Sequence, residues 1–267
     1  MIILHICFPI SRKSLTIFTI ILLIILAIPY IFLTCLISSK KNTNTEIDDS
    51  FLENSMITGL IDKESKSKDI IAKYKDKKVI ALTFDDGPSK YTEKLLDILN
   101  EKDVKATFFL LGYKLDNRID TVRKMASEGH DIGIHGYTHK LFTKLTEEEI
   151  NYEIETSRDI IENIIKDKVE LIRVPYGAVN SLTIDAIKKH ELTNILWNID
   201  SKDWKLRNCK KVTKRVVNSA KDKKIILMHD TYLPSANAAS EIIDKLKEED
   251  FYFVTVTELL ILKNCND

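Results

Sequence analysis

Several things are scarce in this chain, and each scarcity closes off a class of answer. Among 267 residues there are 7 glycines and 5 prolines, mostly gathered at particular turns, and no internal repeat is visible, which sets aside repeat architectures. Neither sign of charge prevails. The 40 Lys and Arg balance 40 Asp and Glu, so nothing points to nucleic acid or to an acidic partner. Long apolar runs are lacking apart from one near the N-terminus. With 44% hydrophobic and 30% charged residues, the chain is too polar for a polytopic membrane protein, yet long enough to bury one full-sized core.

The one long apolar run begins after Arg12 and Lys13 and carries no charge from Ser14 to Ser39. As a helix from Leu15 to Ile37, rising about 1.5 Å per residue, it would reach roughly 35 Å and cross a hydrocarbon core of about 30 Å with some tilt. A cleaved signal peptide has a shorter apolar run, about 7 to 15 residues, and a small-x-small cleavage site, neither of which is found. A lipoprotein reading at Cys35 is weakened by Thr34, where a smaller residue is expected. Residues 1–39 are therefore read as a short cytoplasmic segment and a single membrane anchor. Lys40 and Lys41 offset Arg12 and Lys13, so the positive-inside rule leaves the orientation open. Residues 40–76 are polar and without sustained periodicity, and read as a stalk with one short helix around Phe51 to Ile61.

From Lys77 to the end, taken as one domain, apolar runs at Val79–Phe84, Ala106–Leu111, Asp131–Ile134, Glu170–Val174, Ile195–Ile199, Lys224–Met228 and Phe251–Val256 read as strands. Residues 90–102, 118–129, 145–167, 180–190, 209–222 and 239–250 carry apolar residues at helical spacing. The alternation predicts about seven parallel strands with covering helices, as either a closed (β/α) barrel or an open doubly wound sheet. Either fold places its ligand site at the carboxyl ends of the strands. Asp85 and Asp86 follow the first strand, His135 and His139 the third, and Arg173 closes the fourth; Asp200 and Asp203 follow the fifth, and His229 and Asp230 close the sixth. The opposite loops carry mostly Lys and Glu. Two imidazoles four residues apart can share one face of a turn and grip one cation, although alone they read more readily as hydrogen-bonded surface histidines. A carboxylate on a nearby strand end changes that balance, because two His and one Asp, with water in the open positions, is a typical ligand set for a hydrolytic divalent metal.

The segments TFDDGP (83–88), HGYTH (135–139), RVPYG (173–177), DSKDW (200–204) and ILMHD (226–230) occur in the order seen in the polysaccharide deacetylase family. This is the NodB-homology domain of carbohydrate esterase family 4, and the resemblance runs from about residue 77 to 262. Within the family the chain most resembles membrane-anchored peptidoglycan N-acetylglucosamine deacetylases. The resemblance implies a distorted (β/α) barrel. It implies one divalent metal held by Asp86, His135 and His139, zinc first, with cobalt, manganese or nickel as alternatives. Asp85 would be the general base, oriented by Arg173, and His229 the general acid, kept protonated by Asp203. The Tyr176 backbone N–H would face the oxyanion, and Trp204 and Leu227 would wall the acetyl pocket. Trp197, inside a predicted strand, is read as core. One acid of the Asp85–Asp86 pair then binds the cation while its neighbour takes a proton. Adjacent strand residues point opposite ways, so the Gly87–Pro88 turn must bend the chain to bring both to one site. The chain departs from the family pattern at Ile134, where Asn is usual, and at Val174, where Pro is usual. His5, His130 and His190 match no catalytic position.

The implied function is removal of N-acetyl groups from cell-wall polysaccharide, with N-acetylglucosamine residues of peptidoglycan as substrate. The catalytic domain would be extracellular, tethered to the cell membrane by the N-terminal helix, because the polymeric wall lies outside. An O-acetyl esterase acting on a polysaccharide such as xylan would need the same residues. A non-catalytic glycan-binding module would be expected to have lost one of Asp85, Asp86, His135, His139 or His229, and none is missing. Cys209, opening a helix at the top of the barrel, and Cys265, past the last helix at the bottom, are expected to lie farther apart than the roughly 7 Å a disulfide spans.

Overall fold

The computed structural model describes residues 64–264. The predicted membrane anchor, most of the stalk, and Cys265 lie outside the described residues. Among the described residues, no helix is long and apolar enough to cross a membrane.

The run VIALTF makes a strand that is buried on both faces, as a central strand of a parallel sheet must be. This strand, β1 (Lys78–Gly87), is exposed only at its first residue and half-buried at Asp86. It is followed by α2 (Thr92–Glu101), β2 (Thr107–Leu110), α3 (Ile119–Ser127), β3 (Asp131–Ile134), α4 (Glu147–Ile165), β4 (Leu171–Ile172), α5 (Ser181–Lys189), β5 (Thr193–Asn194) and β6 (Ile199–Asp200). Next come α6 (Asp203–Leu206), α7 (Cys209–Val217), β7 (Lys224–His229), α8 (Leu233–Glu248), β8 (Phe251–Val254) and α9 (Val256–Asn264). A helix over 64–74, α1, precedes them all. All pairings are parallel, in the order β5-β4-β3-β2-β1-β7-β6, while β8 pairs the first half of β1 below β2. The sheet curls as a barrel whose ladder ends at β5 and β6, in keeping with the expected distorted (β/α) barrel.

The two-residue period of β1 separates two cores. Ile80, Leu82 and Phe84 face the helices and join the larger cluster, with Phe108, Leu110, Ile134, Ile150, Ile154 and Ile243. Val79 and Ala81 face inward, with Phe109, Leu171, Ile195, Ile225 and Val254. The inward side of β1 therefore continues through Thr83 to Asp85 at the top. That alternation alone carries an acid to the mouth of the barrel.

Two segments differ from the sequence reading. The predicted fifth strand, Ile195–Ile199, is instead two short strands on either side of an exposed Leu196. Asparagine side chains divert its hydrogen bonds. Asn194 Oδ1 accepts from the Val174 N–H at 3.3 Å, and Asn198 Oδ1 from the Ile225 N–H at 3.0 Å, so the chain passes from the β4 edge to the β7 edge. Trp197 sits in this crossing, half-buried, packed against the inner cluster. The last part of the segment read as stalk is the helix α1, whose Ile70 and Tyr74 are buried in the inner cluster with Val256 and Leu259 of α9.

Candidate active site

Hydrogen-bond register brings the strand ends together. Asp85 of β1 lies opposite His229 of β7 and Phe109 of β2, and Ile134 of β3 lies opposite Ile172 of β4, one residue before Arg173. Arg173 is fully buried, its guanidinium crossing the barrel interior between Phe109, 4.2 Å from the ring centre, and Trp197, at 5.7 Å. Its Nη1 donates to Asp85 Oδ1 at 2.7 Å and to Thr83 Oγ1 at 2.8 Å, and its Nε to the Ile195 carbonyl at 2.9 Å. Such a charge-assisted bond between buried partners fixes the carboxylate's orientation. Burial pulls the guanidinium below its ordinary value, and Asp85 opposes the shift.

Asp86 is turned to the same side by a left-handed backbone, φ 68°, an uncommon conformation for a residue with a side chain. Its Oδ1 is 3.2 Å from His139 Nε2 and 3.5 Å from His135 Nε2. That oxygen is buried with no hydrogen-bond donor. One ligand atom from each of Asp86, His135 and His139 lies within 4.8 Å of the others, so the three fit a single small cation. His135 Nδ1 is 2.6 Å from the Arg173 carbonyl; a carbonyl can only accept, so the proton sits on Nδ1 and Nε2 is left with its lone pair. For His139, burial lowers the imidazole below its ordinary value and the charge of Asp86 opposes it.

On the other side of the mouth, His229 Nδ1 is 2.8 Å from Asp203 Oδ1, and the His229 backbone N–H donates to Asp203 Oδ2 at 2.8 Å. Burial alone would depress His229. The hydrogen bond and charge of Asp203, with the fields of Asp85 and Asp86, overcome it and push the imidazole up to about 9. For Asp203, burial is again the largest influence and is overcome, here by the bond to His229, so its carboxyl lies below the ordinary value. Trp204, half-exposed beside Asp203, donates its backbone N–H to Asp203 Oδ1 at 2.9 Å. Leu227 is buried and alternates inward with His229 along β7. Tyr176 is exposed, with φ 63°, and its ring stands edge-on to His139 at 4.7 Å.

With that geometry in place, likeness to known proteins becomes informative. A profile described as polysaccharide deacetylase matches residues 72–195. The putative polysaccharide deacetylase YheN of Bacillus subtilis is 39% identical over 197 residues, which cover 69% of this chain and 69% of YheN. The chain belongs to the polysaccharide deacetylase family. The peptidoglycan-N-acetylmuramic acid deacetylase PdaC of Bacillus subtilis is 41% identical over 186 residues, 69% of this chain and 39% of PdaC. The peptidoglycan-N-acetylglucosamine deacetylase PgdA of Listeria monocytogenes is 38% identical over 190 residues, 71% of this chain and 40% of PgdA. The chain thus matches about two fifths of the length of those two relatives. The solved structure of PdaC superposes with a TM-score of 0.68 at 40% identity, over 72% of this chain and 94% of that one.

The two departures from the family pattern are both fully buried apolar residues, Ile134 in the helix-facing core and Val174 directly after Arg173. Of the histidines matching no motif, His130 is buried and held down to about 4 by that burial and by Lys105, and accepts from the Ala106 N–H at 3.1 Å. His190 bonds Arg158 and Asn151 at the edge of α5. Cys209 is a free thiol at the start of α7.

Two buried acids at the site were given no role by the sequence. Asp230 is fully buried, accepts from Thr92 Oγ1, and packs so tightly on Gly87 that a Cβ there would sit 2.5 Å from its Oδ2. Burial drives its carboxyl up to about 7, against the pull of Thr92 and Lys114. Glu153, on α4, grips the loop that carries the histidines. Asp230 was legible as the acid after His229, whereas Glu153 looks in sequence like any polar residue of a helix.

Proposed function

We propose that this polysaccharide deacetylase is a metal-dependent N-deacetylase of cell-wall polysaccharide, acting on N-acetylglucosamine residues of peptidoglycan. One observation carries the reading: the convergence of Asp86, His135 and His139 between a base held by Arg173 and an imidazole held by Asp203. Among the relatives, PdaC and PgdA both support peptidoglycan as the polymer, and PgdA, named for N-acetylglucosamine where PdaC is named for N-acetylmuramic acid, supports the choice of sugar.

An acetamide is a poor electrophile with a poor leaving group, so water must be activated, an oxyanion stabilised and the amine protonated. A divalent cation held by Asp86, His135 and His139, with zinc as the first choice, would supply Lewis-acid activation of water and of the acetyl carbonyl. Asp85, fixed by Arg173 through Oδ1, keeps Oδ2 for the proton of the attacking water. The Tyr176 N–H is assigned to the oxyanion and Trp204 and Leu227 to the acetyl group. His229, protonated at neutral pH, delivers its proton to the departing nitrogen, and Asp203 holds the ring by Nδ1 so that Nε2 can point to substrate. We further propose that the N-terminal apolar segment anchors the protein in the cell membrane with this domain outside.

The test is acetate release by the full chain from N-acetylglucosamine oligomers and from peptidoglycan, with chelator and with Asp85→Asn. Release abolished by both controls supports the proposal. No release from either glycan across several added metals, with acetate freed from O-acetylated xylan, would replace it with an esterase reading.

A further inference from the structure

The loop 135–139 carries two of the three ligand side chains, and its shape is imposed from outside the site. Gly136 has φ +81°, and the next two backbone N–H groups, of Tyr137 and Thr138, both donate to Glu153 Oε2 at 2.7 Å. The Thr138 hydroxyl donates to Glu153 Oε1. Successive N–H groups after a left-handed residue form a concavity suited to an anion, and here the anion is a side chain of the protein. Glu153 is 1% exposed. Among the described residues no Lys or Arg forms an ion pair with it, and its carboxylate accepts from this loop. The carbonyl side of the loop is held separately, with the Gly136 and Tyr137 oxygens accepting from the Gly112 and Tyr113 N–H groups at 3.1 Å. A Cβ at Gly136 would come within 3.2 Å of Glu153 Oε2, so the absence of a side chain there lets the carboxylate approach the loop closely. Its own helix is fixed by a capping box between Thr146 and Glu149 and by Ile150, Ile154 and Ile161 in the core.

We infer that Glu153 is a positioning residue for the cation site: it sets the distance between His135 and His139 by clamping the two amides between them. This rests on the metal reading of Asp86, His135 and His139. Without the clamp, two part-buried N–H groups lose their acceptor and the loop relaxes to find another, taking the His139 ring away from Asp86.

The experiment uses the full chain stripped of metal, and reads zinc affinity by competition with a chromophoric chelator and the cobalt absorption spectrum. Glu153→Ala is expected to weaken zinc binding about 10- to 100-fold and to alter the cobalt spectrum. Glu153→Gln retains an oxygen for the two amides and an NH2 for the Thr138 hydroxyl, and is expected to stay within a few-fold of wild type. Ile161→Val, in the core face of the same helix, lowers stability by packing alone and is expected to leave affinity and spectrum unchanged. If Glu153→Ala does not fold, Glu153→Asp, which draws the carboxylate back by one methylene, is expected to show the loss that Glu153→Gln does not. Wild-type affinity in folded Glu153→Ala or Glu153→Asp, or an equal loss in Ile161→Val, would overturn the inference. A wild-type chain that binds no divalent cation would overturn the metal reading itself.

Discussion

Asp203 and His229 set the alkaline limit of the proposed chemistry. A general acid must carry its proton, and an imidazole raised to about 9 keeps it across neutral pH and loses it as pH rises through that value. Asp203→Asn removes the charge that raises His229 while leaving its burial and the fields of Asp85 and Asp86, so the alkaline limb of kcat/KM is expected to move down from near pH 9. A limb that stays in place would mean that another group is the acid. Asp230 behaves oppositely, because burial raises it from 3.8 to about 7 and the folded state then binds more protons than the unfolded between those values. Stability contributed by this site therefore falls as pH rises from about 4 to 7. Asp230→Asn is expected to be as stable as wild type at pH 4 and more stable at pH 8, by urea unfolding of the metal-free protein. At Gly87, an added methyl would meet the Asp230 carboxyl at 2.5 Å. Gly87→Ala is expected to cost about 1–3 kcal/mol by overpacking, and Asp230→Ala in the same chain to recover part of it.

At the scale of elements, α1 shows where a polar sequence conceals a structural role. Residues 64–74 are mostly polar, and the helix contributes its buried Ile70 and Tyr74 side chains, about one turn apart, with the Tyr74 ring edge-on to Tyr252 at 6.4 Å. Burying each contributes about 1.5–3 kcal/mol, so a chain beginning at residue 75 is expected to be several kcal/mol less stable than one beginning at residue 64. Equal urea midpoints would show α1 to be dispensable. The fifth strand illustrates the converse, since Ile195, Leu196 and Ile199 read as a strand while Asn194 and Asn198 divide it by taking backbone partners on opposite edges. A run of apolar residues reports that a segment is buried, not how its backbone bonds are shared.

For the molecule as a whole, the proposed metal binding would be linked to folding through Asp86, His135 and His139. Zinc at a hundred times its dissociation constant is expected to raise unfolding stability by about 2.7 kcal/mol, and His135→Ala to abolish the gain. Calorimetry with and without chelator measures both. The sequence by itself determined the alternation of strands and helices, the placing of Asp85 and Asp86 after the first strand, and the order of motifs that places the chain in its family. These are local periodicities and short segments, which survive in one dimension. The tertiary structure alone decided that Arg173 reaches across the barrel to Asp85, that β5 and β6 end the ladder, that Asp230 is sealed against Gly87, and that Glu153 clamps the histidine loop. Each of these depends on contacts between residues from 15 to more than 140 positions apart, or on burial, which changes a carboxyl's chemistry without leaving any mark on its neighbours in the chain.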